Sequence, residues 1–514
     1  MHTFKPKLSF WQIINMNVGF FGIQYSFGLQ QSAVNPIYDF LGARPDEIPW
    51  LNLAGPLTGL LVQPIIGALS DRTWHPKFGR RKPYFFIGAI MCSLALFLFP
   101  FSSSLWMAAG LLWILDAGNN TAMEPYRAFV ADKLPSDQQG LGFQSQSFFT
   151  GFGQTLANVS LFIFPLIIVG KTGKLPNWVF ASFMFGAVCS IGSVWWSMKT
   201  TPEIPPTEAE IAEIKAKPLN VLSPFIDVFN AIGSMPKVMW LLALVYLFQW
   251  YALFCYWQNS SKVVAQNAFE WKSLDLQPQQ KNTYEAYAKM KEDVKKYAAS
   301  NQLDFNKIYT DSTKATSFYN QWKSKVASPN FSEADLTAID YIDANSQRYE
   351  KAVSWTGLVN GWYNVVTFLV AFVLVGFARK YSPKWVHTFC LVLAGIGFIA
   401  FAMVQNKYLF FPAITGFGIA WASMMGIPYL MVVSEIPKEK YGVYMGIINM
   451  MIVIPMFIQT ITFGYILKHF FNNDPAKAIT FAGVLLLIAA AATLLIKGKK
   501  LTNEIMSQPA VGGH

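Results

Sequence analysis

Charge is scarce in this chain. Asp, Glu, Lys and Arg make up 13% of its 514 residues, against roughly 25% in a soluble protein. With 53% hydrophobic residues, 44 Phe and 17 Trp, that deficit argues against a soluble two-domain protein. Cysteine is scarce as well. Cys92, Cys189, Cys255 and Cys390 each lie inside an apolar run, which gives no disulfide framework and reads as small apolar packing residues. The sequence has no Gly-rich phosphate loop, no nucleophile constellation and no metal-ligand spacing, so neither an enzyme nor a receptor is expected, and no metal or cofactor. His75 stands alone in a loop and is given no role.

What the chain does have is apolar runs of about 20 residues, the span of a bilayer core. Spans are expected near 10–34, 50–70, 83–102, 105–131, 141–169 and 177–198, and again near 238–260, 353–378, 385–404, 408–433, 441–467 and 476–496. Helices are expected throughout, because lipid leaves no other partner for backbone groups in chain without strand alternation. The fold class is therefore an all-α membrane protein with 12 transmembrane helices in two six-helix halves. The start, "MHTFKPKLSFWQIINMNVGFFG", has no small-residue cleavage site and reads as a first span.

The net charge of +11 could suggest nucleic acid, but its distribution speaks for membrane orientation. Arg72, Lys77, Arg80, Arg81 and Lys82 follow the second span, Arg379, Lys380 and Lys384 the eighth, and Lys497, Lys499 and Lys500 the last. The intervening loops are poorer in Lys and Arg, so both termini are expected on the cytoplasmic side. Residues 1–198 form the first half, 199–236 a cytoplasmic linker ("TTPEIPPTEAEIAEIKAKP" at its start), 237–260 the seventh helix, 261–352 an external polar helical insert, and 353–514 the remaining helices and tail.

The halves carry an internal repeat. "EPYRAFVADKLPSDQQGLGFQSQ" is matched by "IPYLMVVSEIPKEKYGVYMGIIN": Pro-Tyr, an apolar turn, an acid (Asp132, Glu435), then Pro (Pro135, Pro437) and Gly (Gly140, Gly442). Repeated halves with a mid-membrane site between them are a secondary-transporter pattern.

"GALSDRTWHPKFGRRKP", Gly67 to Pro83, resembles the loop signature of the major facilitator superfamily, stretched by a few residues. The resemblance implies a cytoplasmic latch between the halves at Asp71, Arg72, Arg80 and Arg81. "FGIQYSFGLQQSAVNPIYDFLGA", "GPLTGLLVQPIIGALSD", "FGRRKPYFFIGA" and "LWILDAGNNTAMEPYRAFVAD" resemble the glycoside–pentoside–hexuronide type of cation symporter, plant sucrose–proton symporters among them. That implies uptake of a sugar, most often a disaccharide or other glucoside (maltose, sucrose or trehalose), coupled to H⁺. A Na⁺-coupled glycoside symporter and, less well supported, a drug or lipid exporter are the alternatives. The resemblance also implies a functional monomer among lipids in a plasma membrane, of the bacterial inner-membrane kind.

The fourth span holds Asp116, Asn120, Met123, Glu124 and Arg127 within one arc of roughly 100°. A lipid-facing charge costs at least ~2.5–3.5 kcal/mol, so the stripe must face a cavity or a partner helix. Asp116 and Arg127 match the family's positions, which makes Asp116 the expected proton carrier and Arg127 its electrostatic partner. Glu124, where plant relatives usually have glycine, is expected to neutralise Arg127 or to hold a second proton. Amides and aromatics would hold a sugar. The candidates are Gln24 and Gln31, Asn119 and Asn120, Gln154 and Asn158, then Gln249, Trp257 and Gln258, Asn360, Trp362 and Asn364, with Asn449 and Gln459. Trp50, Trp106 and Trp178 lie near span ends, as interface anchors do.

Overall fold

The computed structural model describes residues 5–76, 78–208, 211–212, 226, 230, 232–274, 280, 282–283, 286, 333–432 and 441–497. Twelve long helices account for most of them. They are α1 (Phe10–Phe40), α2 (Ala54–Arg72), α3 (Lys82–Leu98), α4 (Leu105–Lys133), α5 (Ser136–Ile167), α6 (Asn177–Thr200), α7 (Lys237–Ala268), α8 (Glu333–Tyr381), α9 (Pro383–Met403), α10 (Phe410–Val432), α11 (Tyr441–His469) and α12 (Pro475–Thr493). Among the described residues, nine stretches are apolar and long enough to cross a membrane on length and composition. The stretches of α1, α4 and α8 fall outside that set.

Local chemistry sets the helix ends. Ser9 and Gln12 form a capping box at the start of α1, and Ser104 caps α4 by accepting from the Met107 amide. Proline opens α3, α9 and α12, where its missing N–H costs nothing. Interior prolines such as Pro125 of α4 and Pro428 of α10 are tolerated because neighbouring helices re-satisfy the freed carbonyls.

The packing repeats between the halves. In the first, α1 packs on α5 and α6, and α3 on α4 and α6; in the second, α7 packs on α11 and α12, and α9 on α10 and α12. Small residues permit the closest approaches, as expected where lipid gives helices no hydrophobic reason to associate. A Cβ added to Gly395 of α9 would sit 2.9 Å from the Gly483 carbonyl of α12, and one added to Gly483 would sit 2.7 Å from the Gly395 carbonyl. The halves meet where α1 packs on α7 and α2 on α11, and where Phe148 of α5 meets Phe368 of α8.

Two expectations shift. The segment given to the insert, 261–352, begins and ends inside helices: α7 continues to Ala268 and α8 starts at Glu333. Helical hydrogen bonds do not need lipid, so apolarity marks the membrane limit and not the helix limit. Phe269–Glu350 forms a compact unit of its own, in which the Asn345 side chain bonds both backbone groups of Lys272 and Trp271 packs on Tyr349. Trp178 is 2% exposed and packs against Phe40, so it is a core residue; Trp50 and Trp106 are exposed. All four cysteines are free. Glu435 and Pro437 of the repeat, and most of the linker beyond Glu208, lie outside the described residues.

Candidate functional site

A cavity of about 190 Å³ lies between the halves. Its polar wall comes from the first half: Gln24, Gln30, Gln31 and Asn35 of α1, Asn52 before α2, Gln63 of α2, Asp116 and Asn120 of α4, and Gln154 of α5. Its opposite wall is aromatic. Trp250 and Trp257 of α7 stand edge-on to Trp421 of α10, at ring separations of 5.8 and 5.7 Å, and Gln258 and Asn449 add amides there.

Among the described residues, Asp116 is the one acidic or basic side chain lining this cavity, and it is 2% exposed. Gln30 donates to its Oδ1 at 2.8 Å and the Thr58 hydroxyl to its Oδ2 at 3.1 Å. Gly55 leaves room for the carboxylate, since a Cβ there would lie 3.3 Å from Oδ2. The chain of partners extends to the other half. The Asn120 amide donates to Thr58 at 3.1 Å, Gln63 donates to Asn120 at 2.6 Å, and Asn449 of α11 donates to Gln63 at 2.9 Å.

The structure brings Gln24, Gln31, Asn120, Gln154, Trp257, Gln258 and Asn449 of the expected set to the cavity, with Asp116. Gln154 donates to Gln24 at 2.9 Å, and Gln459 to Gln258 at 2.9 Å. The others sit behind the wall. Asn119 accepts from Ser26 and from the Cys92 thiol. Asn158 and Asn360 are joined through Ser32, which ties α1, α5 and α8 together. Asn364 donates to the Asn360 carbonyl one turn back. Gln249 is fully buried, and neither end of its amide has a hydrogen-bond partner among the described residues. Trp362 is 40% exposed and donates to Thr415, on a face away from the cavity lining.

The charged stripe divides. Asp116 turns into the cavity, but its partners are Gln30 and Thr58, not Arg127. Glu124 and Arg127 are half-buried outside the cavity lining. Glu124 packs toward Gly67 of α2 and Arg127 turns back on Met123; the two form no ion pair with each other. The arc of roughly 100° that they share with Asp116 is wide enough to hold two environments.

The Gly67–Pro83 motif is built within the first half. Arg81 Nε donates to Asp132 of α4 at 2.8 Å and its Nη1 to Ser70 of α2 at 2.7 Å, and Arg80 Nε reaches the Ser70 carbonyl at 3.3 Å. Glu203, in the first residues of the linker, accepts from the backbone N–H groups of Arg80, Arg81 and Lys82 at 2.7, 3.0 and 2.8 Å. A carboxylate is favoured at this helix start by the dipole. The described contacts of Arg80 and Arg81 run to Ser70, Asp132 and Glu203 and not to the second half; the sequence reading expected a latch between halves there and missed this clasp from the Arg80–Lys82 turn to the linker. Asp71 and Arg72 end α2, and their side chains lie outside the described residues.

Gln30, Asn35, Asn52, Thr58 and Gln63 also went unnoticed. Gln30 lies about 100° around α1 from Gln31, off the narrow face defined by Gln24 and Gln31. Asn52, Thr58 and Gln63 stand out in their apolar surroundings, "PWLNLAGPLTGLLVQP", and that contrast was the available signal.

The family model described as Major Facilitator Superfamily matches residues 16–274, just over half the chain. The chain belongs to this superfamily. As such it is a multi-pass membrane protein. Among its relatives, the sucrose transport protein SUT5 of Oryza sativa subsp. indica is 22% identical over 96% of this chain and 88% of its own length. The sucrose transport protein SUC3 of Arabidopsis thaliana is 28% identical over 30% of this chain and 28% of its own. The nucleoside transporter NupG superposes with a TM-score of 0.58 at 13% identity, covering 95% of this chain and 96% of its own. A D-xylose-proton symporter gives 0.56 at 15%, covering 96% and 100%. These relatives and neighbours are transporters, and the structural ones share the fold.

Proposed function

We propose that this protein takes up a neutral sugar together with protons, and that Asp116 carries the proton. The observation behind this reading is the cavity between the halves: one buried carboxylate among amides on one wall and an indole cluster on the other. Amides bond sugar hydroxyls, and indole edges and faces suit the apolar side of a sugar ring. A neutral substrate leaves Asp116 free to alternate between charged and neutral states, and an intramembrane ionisable residue is a functional group by default. The sucrose transport proteins among the relatives support the sugar class, and the disaccharides maltose, sucrose and trehalose are the first to test. The Lys and Arg distribution supports both termini on the cytoplasmic side, and the Arg80–Arg81 motif would act as the gate on that side.

The test is uptake of radiolabelled maltose, sucrose and trehalose into proteoliposomes under an inward proton gradient, with and without a protonophore. Accumulation of at least one sugar, abolished by the protonophore and by Asp116→Asn, is the expected result. Accumulation driven by a Na⁺ gradient instead, or no sugar transport at all, would overturn the reading.

A further inference from the structure

The hydrogen bonds between Asp116 and the second half have a direction. Asn449 donates to Gln63, Gln63 to Asn120 and Asn120 to Thr58. Each amide uses its N–H₂ toward the carboxylate and its oxygen away from it, so a donor is offered at every step toward Asp116. Chains aligned in this way polarise one another, and an anion at the accepting end strengthens every link. The Thr58 hydroxyl is the branch point next to the carboxylate. Its one hydrogen can go to Asp116 Oδ2 at 3.1 Å or back to its own helix, where the Ala54 carbonyl at 2.9 Å and the Gly55 carbonyl at 3.3 Å accept. Thr58 is 4% exposed and is not part of the cavity lining.

We infer that Thr58 is a positioning residue that turns the charge state of Asp116 into a change of the contact between halves, through Asn120, Gln63 and Asn449. With the carboxylate ionised, the Thr58 hydrogen points to Asp116, and the polarised chain holds α2 and α4 to α11. With the carboxylate protonated, Asp116 donates to Thr58 Oγ1 and the hydroxyl turns to the Ala54 carbonyl. The charge at the end of the chain is then gone, and the Gln63–Asn449 link that spans the halves is weakened. This rests on the reading of Asp116 as the proton carrier.

The other groups around Asp116 leave this route uncontested. Gln30 approaches from α1. Tyr38 of α1 donates to the Leu51 carbonyl and Cys92 of α3 to Asn119, so each keeps its proton in a bond of its own. Among the described residues no Lys, Arg or His forms an ion pair with Asp116. On α4 itself, Glu124 and Arg127 lie roughly 12 and 16 Å further along the axis.

Thr58→Val removes the hydroxyl at nearly constant shape, and Thr58→Ser restores it. In proteoliposomes, the ratio of proton-driven accumulation to gradient-free sugar exchange is expected to fall roughly tenfold in Thr58→Val, the scale of one charge-assisted hydrogen bond. Its pH profile for uptake should move to higher pH, because the ionised carboxylate has lost a donor. Thr58→Ser is expected to restore both. Asn449→Leu should lower the same ratio, and combining it with Thr58→Val should add little, since both cut one chain. If wild type accumulates sugar on a proton gradient and Thr58→Val keeps the wild-type ratio and pH profile, this inference fails alone. If wild type shows no proton-driven accumulation, the reading of Asp116 fails first. A uniform loss of exchange and accumulation that Thr58→Ser does not restore would mean a packing role only, and would also overturn the inference.

Discussion

Asp116, Glu124 and Arg127 sit on one helix, yet the structure gives them different surroundings. Asp116 is enclosed by donors at a cavity, whereas Glu124 has no hydrogen bond or ion pair among the described residues and does not line that cavity. Glu124→Gln is therefore expected to keep proton-driven accumulation within about twofold of wild type, the range of substitutions that break no specific contact. Loss of accumulation in that variant would make Glu124 the proton site instead. Sequence alone placed Asp116 correctly at a polar face, because a buried charge must have one. It could not separate Asp116 from Arg127, since the partner that decides the matter, Thr58, is on another helix. Ser32 makes the same point for sugar candidates. It joins Asn158 to Asn360, so two amides that resemble sugar ligands in sequence bind each other's helices. Ser32→Ala should cost about 1 kcal/mol in thermal unfolding in detergent, the scale of interhelical hydrogen bonds in membranes.

Among the elements, α1 and α4 are outside the set of apolar candidate spans and supply Asp116 and most of the amides on the polar wall. Low apolarity in a helix surrounded by others is the mark of a cavity lining, and the sequence carried that signal in plain sight. It carried less about the connections. The linker falls mostly outside the described residues, and the Glu203 clasp depends on three backbone N–H groups that no residue pattern reveals. The α1–α7 contact holds a further feature of this kind. Lys262 of α7 lies 2.9 Å from Asp39 of α1, with side chains 5% and 12% exposed, and Lys468 of α11 lies 3.6 Å from Asp46. Together with the Asn52–Asn35–Trp257 bonds, these span the halves at the end of the cavity nearest the α1–α2 connection. Lys262→Ala takes the cation from a half-buried Asp39 and is expected to destabilise by about 3 kcal/mol, the low end for a broken buried pair, while replacing both partners by apolar residues should cost far less. Thermal unfolding of the single and double variants checks this. Equal losses in both would mean that the pair's charges are solvated.

For the molecule as a whole, hydropathy and loop charge made the twelve helices and two halves legible, because the bilayer imposes length and apolarity on each span independently. The site was only half legible. Residues that face the cavity along one helix, such as Gln24 and Gln31, can be found from periodicity; a hydrogen-bonded path through α4, α2 and α11 cannot, because it exists only once the halves are together. That path links the proposed proton site, Asp116, to the other half. The most direct measurement loads proteoliposomes with a pH-sensitive dye and adds the transported sugar outside, with no gradient imposed. Sugar entry is expected to drag protons in, so the lumen acidifies in wild type and not in Asp116→Asn. Sugar entry without acidification in wild type, or equal acidification in Asp116→Asn, would contradict it.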